Sequence, residues 1–185
     1  GVQTCALPIW SEAYRNEAVN VGRTLAQKGI GLVYGGASVG LMGAVADAVL
    51  KEGGEVIGVL PRQLANLEVG HRGLTTLHLV DSMHERKAMM AELSDAFVVL
   101  PGGIGTMEEA FEAWTWSQLG FHRKAVGLLN VNGFFDKLVG FLDVLVAEQF
   151  VRPVHRDMLL CETSAELLID KLIKMEVPVV PKWIG

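Results

Sequence analysis

The sequence predicts an α/β fold: a single domain on a doubly wound, mostly parallel sheet of the Rossmann type, with helices on both faces. Three observations predict it. Apolar runs without polar alternation, such as EVIGVLP (55–61), DAFVVLP (95–101) and KAVGLLN (124–130), have the pattern of strands covered on both sides. Segments of helical spacing separate these runs, and strand–helix–strand units close by right-handed crossovers. Loops then follow Tyr34, Val80 and Leu100, at strand carboxyl ends, where open sheets of this kind bind their ligands.

The elements follow in order. Ser11 is a plausible N-cap for a helix to about 28, with Ala18, Val21, Leu25 and Ala26 near helical spacing. GIGLVYGG (29–36) reads as a buried strand ending in a glycine turn. GLMGAVADAVLKEGG is a helix stopped by Gly53 and Gly54. EVIGVLP is a strand, 62–73 a loop, LTTLHLVD a strand, SMHERKAMMAELS a helix and DAFVVLP a strand. A helix over 107–119 precedes the strand KAVGLLN. Asn132-Gly133 marks a turn before a helix over 134–149, and an apolar segment at 158–161 precedes a last helix over 164–175.

The length of 185 residues suits one domain with a substantial core. It is 50% hydrophobic and 20% charged, the profile of a soluble globular protein, and a cytoplasmic location is expected. No apolar run approaches the roughly 18 residues of a membrane span. A net charge of −5 with mixed signs offers no footprint for nucleic acid, so an anionic ligand needs a local site. Cys5 and Cys161 form no CxxC pair, and the five histidines lack metal-ligand spacing; no metal and no cofactor is expected. GVQTCALPIW (1–10) is atypical. It reads as a short strand or as an expression or assembly scar in place of the true beginning, and the second reading is favoured. The domain then spans 11–176, with a tail at 177–185.

In PGGIGT (101–106), Gly102, Gly103 and Gly105 can turn their amides into a concave cradle without Cβ clashes. Thr106 is expected at the helix N-cap, where its hydroxyl and the first-turn amides could hold a phosphate. No lysine follows as in a Walker A loop, and Glu108 stands where GxGxxG needs glycine, so a nicotinamide cofactor is disfavoured. Thr106 to Glu109 also satisfies a capping box, which by itself does no more than start a helix. DSMHERKAMM (81–90) carries a second box, Ser82 to Glu85. Arg86 and Lys87 follow at the end of that helix's first turn, where the macrodipole disfavours cations by about 0.3–1 kcal/mol each. A bound anion would reverse that cost, which singles out Arg86. Gly35 and Gly36 let backbone approach a ligand, whereas Gly43 is expected to let helix pack on strand. Phe111, Trp114 and Trp116 read as core or subunit contacts. Among the histidines only His84, beside Arg86, has a claim to function.

Together VYGGASVGLMG, GVLP, DSMHERKA, LPGGIGTMEE and WTWSQLGFHRKAVGLLNVNGFFDKL resemble the Lonely Guy (LOG) family of cytokinin-activating phosphoribohydrolases, over about 11–176. The resemblance implies hydrolysis of the N-glycosidic bond of adenosine 5′-monophosphates, N6-modified or plain, to free base and ribose 5-phosphate. By it, Arg86 and Glu109 are the catalytic pair, and Gly102, Gly103, Gly105 and Thr106 form the phosphate loop. Met83 and Lys87 lie in the substrate-lining segment, and a homodimer is the expected assembly. The chemistry suits the residues, because a carboxylate stabilises an oxocarbenium-like state and can activate water. One departure is the Gly-Ser loop that usually follows a first strand, absent from GVQTCALPIW. A lysine decarboxylase reading is set aside, since no pyridoxal-lysine motif is present. The alternatives are a non-catalytic carrier of the same fold, for a nucleotide or a molybdenum cofactor, and a purely structural role for both capping boxes.

Overall fold

The structure, a computed structural model, describes residues 11–65 and 70–178. The atypical segment 1–10 and all but the first two residues of the tail 177–185 lie outside it. Two compact units divide between Ser94 and Asp95. Both are α/β, with wholly parallel three-stranded sheets, in agreement with the predicted fold class.

In the first unit, α1 (Glu12–Gln27) leads to β1 (Leu32–Tyr34), α2 (Gly40–Lys51), β2 (Val56–Pro61), the single turn α3 (Arg62–Ala65), β3 (Thr76–Val80) and α4 (Met83–Leu93). The sheet order is β1-β2-β3, with Leu32 beside Val56 and Leu60 beside Leu79. β2 is the middle strand and is nearly all buried, as its unbroken apolar run requires. β3, at one edge, alternates instead. The helix α1 packs on α2 through Gly22, where a Cβ would stand 2.5 Å from the Val45 carbonyl oxygen and 2.7 Å from the Ala48 Cβ. Ser11 does sit at the N-cap of α1, but its side chain makes no capping bond. The strand expected over 29–36 is only three residues long. Gly29 closes the preceding helix at φ +68, and Gly36 turns the chain at φ +76.

In the second unit, β4 (Ala96–Val99), α5 (Ile104–Leu119), β5 (Ala125–Leu129), α6 (Asp136–Ala147), the turn α7 (Pro153–Arg156), β6 (Leu159–Glu162) and α8 (Ala165–Lys174) follow. The sheet order is β4-β5-β6. All of β5 is buried. Gly127 lets α8 press onto it, since a Cβ there would meet the Leu168 side chain at 2.6 Å. Trp114 belongs to this core, its indole N–H donating to the His155 carbonyl at 2.9 Å. No helix among the described residues is long and apolar enough to cross a membrane.

The His122 ring meets Phe97 at a tilt and Trp116 edge-on, and its Nδ1 accepts the Lys124 amide at 3.2 Å. Burial holds its pKa below the ordinary histidine value, with the Lys124 charge adding to the effect. The unfolded chain therefore binds this proton more readily than the folded one. That contribution to stability is complete above the ordinary value, about pH 6.5, and is lost as pH falls from there through the depressed folded value. Urea midpoints should drop on acidification across that range, and His122→Phe should flatten the drop.

Candidate functional site

At the end of β1, the chain leaves Tyr34 into Gly35, Gly36 and Ala37. The Arg86 guanidinium rests on Gly35: a Cβ built there would run into it, with the guanidinium carbon only 3.0 Å away. So two loops that lie far apart in sequence meet here, as their common position beyond strand ends requires. Gly36 adopts a left-handed φ of +76, and the space beside it is filled by Leu60 and Leu77. Gly43 was expected to let its helix pack on a strand. Instead the atoms a side chain would strike belong to the Ser38 backbone, so this glycine lets the loop fold closely over its own helix start.

α4 begins where the second capping box places it. The Ser82 hydroxyl accepts the Glu85 amide at 3.1 Å, and the Glu85 carboxylate reaches back to the Asp81 amide at 2.9 Å. The reciprocal bond thus goes one residue earlier than in the standard box. Met83 is the first helical residue and is exposed. Arg86 and Lys87, both half-buried, complete the first turn and begin the second. His84 is exposed on the same turn.

The phosphate-loop expectation needs one correction. Thr106 is not the N-cap of α5; Gly103 is, and the first helical residue is Ile104. The Met107 amide already donates to the Gly103 carbonyl at 3.1 Å. The capping box at Thr106 to Glu109 therefore does not exist, and Glu108 and Glu109 fall in the second turn. Glycine is a tolerated N-cap, and once Met107 is helical each preceding residue adds a bond without a side-chain clash. What the correction leaves is chemically useful. The amides of Ile104, Gly105 and Thr106 occupy the helix start, where no intrahelical acceptor exists. Gly103 and Gly105 have open space where a side chain would be, and Gly102 is closed over by Thr106, whose Cβ would lie 2.8 Å away. Glu109 lies four residues after Gly105 and three after Thr106, on the same helix face. Ile104 is 90% exposed, an apolar side chain at the mouth of this loop.

Sequence spacing gives His71 no role. The structure gives it more bonds than any sequence signal suggested. Its amide donates to the Gly36 carbonyl at 2.8 Å, its Nδ1 accepts the Gly73 amide at 3.0 Å, and its Nε2 lies 2.9 Å from Asp47 Oδ1.

A family model described as "Possible lysine decarboxylase" matches residues 42–172. A "Probable cytokinin riboside 5'-monophosphate phosphoribohydrolase" of Oryza sativa subsp. japonica is 51% identical over 160 residues, covering 86% of this chain and 70% of the relative. The cytokinin riboside 5'-monophosphate phosphoribohydrolase of Rhodococcoides fascians is 48% identical over 152 residues, 82% of this chain and 77% of the relative. One from Arabidopsis thaliana is 46% identical over 160 residues, 86% of this chain and 74% of the relative. Among solved structures, the molybdenum cofactor binding protein of Rippkaea orientalis superposes with a TM-score of 0.67 at 22% identity, over 89% of this chain and 88% of that one. The molybdenum cofactor carrier protein of Chlamydomonas reinhardtii gives 0.67 at 21% identity, over 89% and 91%. At such identities the structural likeness establishes the fold alone.

Proposed function

This chain belongs to the Lonely Guy family of cytokinin riboside 5′-monophosphate phosphoribohydrolases, and from that premise we propose that it hydrolyses the N-glycosidic bond of adenosine 5′-monophosphates, N6-modified or plain. Water adds its hydroxyl to the anomeric carbon as the bond to the base breaks. The base leaves with the proton, and ribose 5-phosphate remains. The observation that carries this reading is the identity of 46–51% to three named phosphoribohydrolases over most of the chain. The local geometry supports it. The helix-start amides at 104–106 suit the 5′-phosphate, and Glu109, on the face of that helix start, suits the developing positive charge on the sugar. Arg86, seated on Gly35, provides a cation for the anionic nucleotide. Gly36, Met83, Lys87, Gly102, Gly103 and Gly105 complete the proposed binding set.

The test is to incubate the protein with AMP and with N6-isopentenyl-AMP and to follow free base and ribose 5-phosphate by chromatography. Release from at least one is expected. Folded protein that releases neither product from either nucleotide would refute the reading. A carrier role, suggested by the solved structures, rests on fold alone and predicts tight binding without turnover. We further propose a cytoplasmic homodimer. Phe121, Phe141 and Phe150 leave 74%, 56% and 80% of their surfaces exposed in the second unit, large apolar side chains for a second copy to cover. Light scattering should give twice the chain mass of 20.0 kDa.

A further inference from the structure

We propose that His71 is a positioning residue for this reaction: it laces the 70–73 loop to the Gly35–Gly36 strap and so fixes the seat of Arg86. The inference rests on the hydrolase reading above. Nothing in the resemblance assigns His71 a role.

The lacing has three strands. The His71 amide donates to the Gly36 carbonyl at 2.8 Å, and Gly70 pairs with Ala37 in an isolated antiparallel bridge. The imidazole Nδ1 accepts the Gly73 amide at 3.0 Å, which sets the tautomer: the ring proton is on Nε2. That nitrogen donates to Asp47 Oδ1 at 2.9 Å, on α2. One residue thus joins three elements: its backbone amide holds the turn after β1, and its ring, only 11% exposed, braces the loop before β3 against the helix that follows that turn. Both ring nitrogens are engaged, so the imidazole is not placed to exchange protons with a substrate. Its effect passes through backbone. Gly36, held by the His71 amide, carries a left-handed φ, and the next residue back is Gly35, on which the guanidinium of Arg86 rests. Beneath the strap the Tyr34 side chain is fully buried, and its phenol is pushed well above the ordinary tyrosine value by burial and by the charge of Asp47. Displacing a substrate-binding group by about 1 Å can cost up to a hundredfold in rate, so a loosened strap should be read in turnover.

The experiment compares kcat/KM for AMP in wild type, His71→Ala, Asp47→Ala, Asp47→Asn, Arg86→Ala and the His71→Ala/Arg86→Ala pair. Both alanine variants in the lacing should lose about tenfold to a hundredfold. Asp47→Asn keeps an acceptor for Nε2–H and should stay near wild type. In the Arg86→Ala background, removal of His71 should cost nothing more, because its effect acts through Arg86. A full, additive loss in that background, or wild-type kcat/KM in both alanine variants, overturns the proposal. Should His71→Ala fail to fold, Asp47→Ala answers the question, since Asp47 is 69% exposed. Hydrogen exchange without ligand supplies a readout independent of turnover: peptides covering 35–37 should exchange faster in Asp47→Ala. If wild type turns over no nucleotide, the hydrolase reading fails. Unchanged exchange and unchanged kcat/KM beside an active wild type would sink the positioning role alone.

Discussion

Replacing Glu109 by glutamine is expected to reduce base release by about a hundredfold to ten-thousandfold, with little change in the unfolding midpoint. Glutamine matches glutamate in shape and nearly in helix propensity. It removes only the negative charge. Because Gly103 caps α5, Glu109 has no capping duty at the helix start, so the substitution does not disturb how the helix begins. Loss of the charge withdraws the counter-ion from an oxocarbenium-like state and the base from the attacking water. The measurements are kcat with AMP and the urea midpoint of the same preparation. Turnover that survives at a tenth of wild type or better would show that another group does this work.

The second large effect is expected at Gly35. A methyl group there would occupy the place of the Arg86 guanidinium. The obstructing atoms are the far end of a long side chain, so the fold can accept alanine while Arg86 swings away. Gly35 also lies outside the left-handed glycines, unlike Gly36, so its backbone conformation suits alanine. Gly35→Ala should therefore mimic Arg86→Ala, with about a tenfold to hundredfold loss of kcat/KM and a nearly unchanged melting temperature. A variant with wild-type kinetics would show that the seat of Arg86 does not matter to the reaction. A variant with lost stability would show that Gly35 is needed by the fold itself.

These two sites differ in how far the sequence revealed them. Arg86 could be singled out because a cation in a helix's first turn is costly, and the Ser82 capping box fixed where that helix begins. Its resting place on Gly35 could not be read from spacing, since the two residues belong to different crossovers. Glu109 is legible as a candidate, but its place in the second helical turn is not. Gly103 and Gly105 look like breakers locally, yet the helix runs back through Gly105 to Ile104, because propagation adds a bond per residue where no side chain obstructs it. His71 showed no signal at all. A histidine five residues before a strand has no periodicity or metal spacing to mark it, and its partners Asp47 and Gly36 lie 24 and 35 positions away.

By itself, the sequence determined the class of fold, the order of its strands and helices and the family. These depend on hydrophobic periodicity, on cap and turn residues, and on motifs that are local in the chain. Only tertiary structure decided where α5 starts, which side chain Gly35 makes room for, and that His71 ties the turn after β1 to α2. Such facts depend on distances between residues remote in sequence, and those distances are set by how crossovers pack on a parallel sheet.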